Sequence, residues 1–192
     1  MKKKIILGLL CASALFVSAQ NKTRSSQYQE YFDRQTCKEV CGVSFGSSYE
    51  SAKEILKAKY GEPDYLDTDE NKIVYSYKSY GGIQFSYMAF VFQRDNYNSY
   101  MSQCVMGIDC KTIQDAKNNR DYIYSKVKER YGAWHVGIDG NGFKYYQGGT
   151  SPLGEFGEGF IIDVVKYDDS KSEYKYFARI MYGPYNYVKE EF

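Results

Sequence analysis

The sequence predicts an α+β fold: two tandem helix-plus-three-strand repeats that build an antiparallel sheet with the helices packed on one face. Three observations predict it. Two stretches carry apolar residues at helical spacing, and each is followed by runs that alternate in the manner of strands. Both helical stretches also end alike: Lys57-Ala58-Lys59-Tyr60-Gly61 aligns with Lys128-Glu129-Arg130-Tyr131-Gly132. Matching order and matching helix ends point to duplication within one domain, with repeat 1 over 47–110 and repeat 2 over 111–192.

The elements follow in order. Residues 1–19 read as an export signal: Lys2-Lys3-Lys4, an apolar run from Ile5 to Val17, then Val17-Ser18-Ala19 as a small-residue cleavage site. The polar stretch 20–46 reads as an amino-terminal lead-in. Ser47-Ser48-Tyr49-Glu50 fits a capping box with Ser47 as the cap, and Ala52, Ile55, Leu56 and Tyr60 stripe the first helix up to Gly61 and Pro63. Strands are expected over 73–79, 83–93 and 99–107. In the middle one Ile83, Phe85 and Tyr87 keep one parity while Phe90 and Phe92 keep the other, which calls for a bulge near Met88 or burial on both faces. Thr112-Ile113-Gln114-Asp115 opens the second helix, striped by Ile113, Ala116, Ile123, Val127 and Tyr131. Three more strands are expected over 143–147, 159–167 and 174–182, after the Asp139-Gly140-Asn141-Gly142 turn.

Charge and cysteines bound the function. The 192 residues hold 25 Lys+Arg and 24 Asp+Glu; the signal takes three lysines and no acid, so the remainder is slightly acidic. That balance argues against a nucleic-acid partner, which requires a basic stripe. The apolar run of the signal is too short for a membrane span, so no transmembrane segment is expected after cleavage. Localisation is therefore expected to be exported, periplasmic or extracellular. Cys11 leaves with the signal, and Cys37, Cys41, Cys104 and Cys110 remain. Four cysteines in an oxidising compartment predict two disulfides, and the equivalent place of each pair ahead of a helix favours Cys37–Cys41 and Cys104–Cys110.

Val43-Ser44-Phe45-Gly46-Ser47-Ser48-Tyr49-Glu50, with Leu56 and Tyr60-Gly61-Glu62-Pro63, resembles the turn, helix, Gly-x-Pro and strand unit of the beta-lactamase-inhibitor-protein-like and BamE-like (SmpA/OmlA) superfamily. The second copy departs from it, with Gly132-Ala133-Trp134 where Gly-x-Pro would stand. The resemblance implies a sheet with helices on one face and the other face free to bind a protein.

No catalytic, metal or cofactor site is expected. The single histidine, His135, follows a helix end, where a structural role is the ordinary one. Asp67-Thr68-Asp69-Glu70-Asn71-Lys72 lacks the glycine of a calcium loop, and Glu155 stands where a phosphate-binding loop needs lysine. Asp163, inside the run Phe160 to Val165, is expected to face outward from a half-exposed strand. The compositional anomaly is 22 tyrosines and 11 phenylalanines. Part of that excess suits a half-buried sheet, and aromatic and arginine side chains also anchor interfaces. In the last strand Tyr174, Tyr176, Ala178, Ile180 and Tyr182 share the core parity, leaving Phe177 and Arg179 on the opposite face. The expected binding residues are thus Phe177 and Arg179, with Tyr146 and Tyr167 on neighbouring strands and Trp134 at the rim. The expected function is an exported, non-enzymatic protein-binding or envelope-associated module. A carbohydrate-binding domain or a carboxylate-dependent hydrolase is the alternative.

Overall fold

The computed structural model describes residues 35–67, 69, 71–94, 99–131, 135–152, 158–167 and 172–185. The stretch expected to be an export signal, with Cys11, and Trp134 lie outside them. The first helix, α1 (Tyr49–Tyr60), starts where a serine hydroxyl can satisfy an orphan N–H, but the cap is Ser48, whose Oγ accepts from the Ser51 N–H at 3.3 Å. Ser47 is engaged otherwise: its carbonyl accepts from the Met101 N–H while the Gly46 N–H donates to the Met101 carbonyl. Gly61, at φ 83°, ends the helix. The second helix, α2 (Ile113–Tyr131), is capped by Thr112, whose Oγ1 accepts from the Asp115 N–H at 3.1 Å.

The strands are β1 (Glu39–Val40), β2 (Val43–Ser44), β3 (Tyr65–Leu66), β4 (Lys72–Tyr80), β5 (Ile83–Arg94), β6 (Ser99–Cys110), β7 (His135–Ile138), β8 (Lys144–Gly148), β9 (Glu158–Lys166) and β10 (Tyr176–Tyr185). This corrects the expected fold class. Among the described residues strand outweighs helix by about two to one (51% against 25%), and eight strands form one continuous antiparallel sheet in place of two helix-plus-three-strand units. Its order is β3-β4-β5-β6-β10-β9-β8-β7, mirror-symmetric about the central β6–β10 pair. Four strands follow each helix. The additional ones, β3 and β7, are edge strands of two and four residues, too short for an alternating pattern to show.

One layer of core joins the helices to the sheet. Ala52 and Leu56 of α1 and Ala116, Ile123, Val127 and Tyr131 of α2 share a buried cluster with Phe85, Phe90, Cys104, Met106, Phe160, Ile162, Ala178, Ile180 and Tyr182 of the strands. The stretch before α1 also departs from expectation. Residues 39–44 form a hairpin whose Cys41-Gly42 turn has both φ values positive, as a two-residue hairpin loop requires. Cys37, Val40, Cys41 and Val43 are buried in that same cluster. The parity change in β5 falls at Ser86 and Tyr87. There Ser86 Oγ donates to the Gly107 carbonyl and accepts from the Asp109 N–H, replacing ladder hydrogen bonds. A separate register shift lies between Val91 and Phe92.

The structure also corrects the expected Cys104–Cys110 pairing. Cys104 and Cys110 lie six positions apart on β6, about 20 Å along an extended strand. A disulfide needs Cα atoms within about 7 Å. All four cysteines are buried free thiols.

Candidate functional site on the sheet face opposite the helices

The antiparallel register places one row of residues side by side across four central strands: Tyr87 opposite Gly107, Gly107 opposite Arg179, and Arg179 opposite Asp163. Alternation along each strand puts this row on the face away from α1 and α2, since Met88, Met106, Ile180 and Ile162 belong to the helix-side core. Gly107 carries no side chain, and the Phe177 ring fills its place: a Cβ built on Gly107 would lie 2.3 Å from Phe177 Cζ. Tyr87 meets the Phe177 ring edge-on at 6.0 Å, and Tyr167 lies tilted against it at 5.9 Å. The Tyr167 hydroxyl donates to Asp109 Oδ1 at 2.7 Å. Burial, and then the Asp109 carboxylate, push the Tyr167 phenol well above its ordinary value, so it remains a neutral donor.

Next to this aromatic group sits an ion pair with fork geometry. Arg179 Nε donates to Asp163 Oδ1 at 2.9 Å and Nη2 to Oδ2 at 2.6 Å. Both side chains are largely removed from solvent, at 26% and 14% exposure, which makes the pair more rigid and less screened than a surface bridge. Asp163 thus spans the sheet face to its cross-strand partner, a role the expected outward orientation did not contain. The motif of ring over glycine recurs on the same face at β7–β8: the Tyr145 ring covers Gly137, with its hydroxyl 3.2 Å from His135 Nε2. Tyr145, Ile161 and Met181 form a second, smaller buried cluster there.

Of the expected binding residues, the structure brings together Phe177, Arg179 and Tyr167. Phe177 needs correction in one respect: at 7% exposure it is the floor of this face and not a projecting anchor. Tyr146 is corrected outright, because it lies on the helix-covered face. Its ring stacks on Tyr124 of α2 at 3.8 Å, and its hydroxyl donates to Asp121 Oδ1 at 2.9 Å. Arg120, filling the helix stripe position between Ala116 and Ile123, donates to the same carboxylate and to the Lys144 carbonyl. Residues that the sequence reading missed are Gly107, Tyr87, Asp109 and Ser86. An isolated glycine within a strand pattern signals close approach of another group, and Gly107 is such a glycine.

The thiols are poor nucleophiles where they stand. Burial pushes Cys41 up to about 11, with the Tyr60 hydroxyl, 3.3 Å from Sγ, acting in the opposite direction. Cys37, Cys104 and Cys110 are raised by the same cause. Among the described residues no group of three His, Cys, Asp or Glu side chains is arranged to hold a metal ion, and no helix is long and apolar enough to cross a membrane. Comparison with family models, curated proteins and solved structures finds no match to this chain.

Proposed function

We propose that the chain is an exported, non-enzymatic module that binds another protein through the sheet face opposite the helices. The observation that carries this is the row Tyr87–Gly107–Arg179–Asp163 with its Phe177 floor: aromatic rings packed on one another across the strands beside one rigid, bidentate ion pair. Arginine and tyrosine are the side chains that most often dominate binding energy, and rings already held in place lose little entropy when a partner arrives. Size fits as well. Eight strands at about 4.8 Å spacing give a face roughly 34 Å wide, enough for the ~800 Å² per partner of a standard interface.

The test uses the immobilised full chain against a concentrated envelope and secreted fraction, in wild type, Tyr87→Ala and Tyr122→Ala forms. Tyr122 is an exposed residue of α2 and serves as the control. The proposal expects a retained protein that is lost with Tyr87→Ala and kept with Tyr122→Ala, and that binds again once purified. Retention unaffected by Tyr87→Ala overturns the face. Binding of a glycan in place of a protein, or turnover of a glycan or peptide abolished by one carboxylate substitution, overturns the class.

A further inference from the structure

On the helix side, at the end of the sheet marked by the Tyr80-Gly81 turn, a cleft of about 180 Å³ opens between α2 and the strands. Its walls divide by chemistry. Ile83, Phe85, Met106, Ile123, Val127 and Ile180 supply an apolar interior, and Tyr131 and Tyr182 close it with their rings. Lys126 and Arg130, one helical turn apart on α2, stand exposed at its mouth. Lys59 of α1 adds a third cation, its Nζ lying 5.6 Å from the centre of the Tyr80 ring.

No acidic side chain lines the cleft. Among the described residues, none of the ion pairs involves Lys126, Arg130 or Lys59. The volume exceeds that of a 150 Å³ apolar cavity that takes up benzene, so a short hydrocarbon body fits it. A positive rim above an apolar interior calls for a ligand of matching polarity: hydrocarbon at one end and a single negative charge at the other. Arg130 offers the planar fork that a carboxylate accepts in bidentate fashion.

We infer that this cleft is a binding site for a small amphiphilic carboxylate, its hydrocarbon body between α2 and the strands and its carboxylate at Lys126 and Arg130. The site lies on the opposite side of the sheet from the proposed protein-binding face, and neither depends on the other.

The experiment is calorimetric titration of the full chain with octanoate, octanol, octylammonium and acetate, repeated on Lys126→Glu/Arg130→Glu. Both substituted residues are exposed, so the fold is expected to persist, and circular dichroism confirms that it has. The inference expects saturable octanoate binding below about 1 mM, the range open to a ligand of this size. Octanol should bind about tenfold more weakly, because the charge-assisted hydrogen bonds are lost, and the double variant should show a similar loss. Octylammonium should bind the variant better than the wild type. No octanoate binding, equal binding of octanoate and octanol, binding of acetate as tight as octanoate, or undiminished octanoate binding by the folded variant each overturns the inference.

Discussion

Gly107 and Phe177 offer the sharpest quantitative test of the architecture, because each explains the other. The Gly107 backbone has ordinary strand geometry, and the nearest obstacle to a side chain there is the Phe177 ring, with three ring atoms 2.3, 2.5 and 2.7 Å from an added Cβ. Gly107→Ala therefore forces the ring off the strand, and overpacking of that kind costs about 1–3 kcal/mol. Phe177→Ala removes a ring held between Tyr87, Tyr167 and the strand, at about 3–4 kcal/mol. Once the ring is gone, the three atoms nearest an added Cβ go with it, and Gly107→Ala is expected to gain the ~0.5–1 kcal/mol by which alanine exceeds glycine in a strand. The same substitution thus changes sign with its background, giving a coupling energy of about 1.5–4 kcal/mol. Urea unfolding of wild type, both single variants and the double variant measures it, provided the m-values agree. Additive effects would refute the reasoning and would mean that the ring does not rest on Gly107.

Three further outcomes follow from other parts of the molecule. With Cys41 pushed up to about 11, and Tyr75 and Tyr80 to about 12, chiefly by burial, the folded chain keeps protons that the unfolded chain sheds above its ordinary thiol and phenol values. Stability in reductant should be full below about pH 9 and fall as pH rises toward 11, by about 3 kcal/mol from Cys41 alone; a flat urea midpoint between pH 8 and 10.5 would contradict it. Peptide mapping of the oxidised protein should find no Cys104–Cys110 bridge, because a strand that long separates the two thiols; finding it would require β6 to be broken. Tyr146→Phe should lose about 1 kcal/mol with the hydrogen bond to Asp121, while Tyr122→Phe at the exposed helix surface changes nothing measurable by the same urea titration.

Local signals determined a good deal. The two helices, their glycine and threonine punctuation and the long strands were legible because apolar spacing and capping chemistry act over a few residues, and Ala178, Ile180 and Tyr182 do face the core as their alternation indicated. The cap of α1 moved one residue because Ser47 is engaged by Met101, a partner more than fifty positions away that no local pattern displays. The same holds at the candidate site. Phe177 and Arg179 were placed on the correct face by parity, yet only the pairing of β10 with β6 and β9 decided that Phe177 covers Gly107 and that Arg179 meets Asp163. Tyr146 went to the wrong face, since a one-residue change of register inverts a strand and β8 is too short to declare its own. The joining of all eight strands into one sheet, the burial of the Cys37–Val43 segment in the helix-side core and the spacing of Cys104 from Cys110 are likewise consequences of long-range pairing. Sequence fixes which residues prefer strand, helix and burial; which of them become neighbours depends on contacts between distant parts of the chain, and those exist only once it has folded.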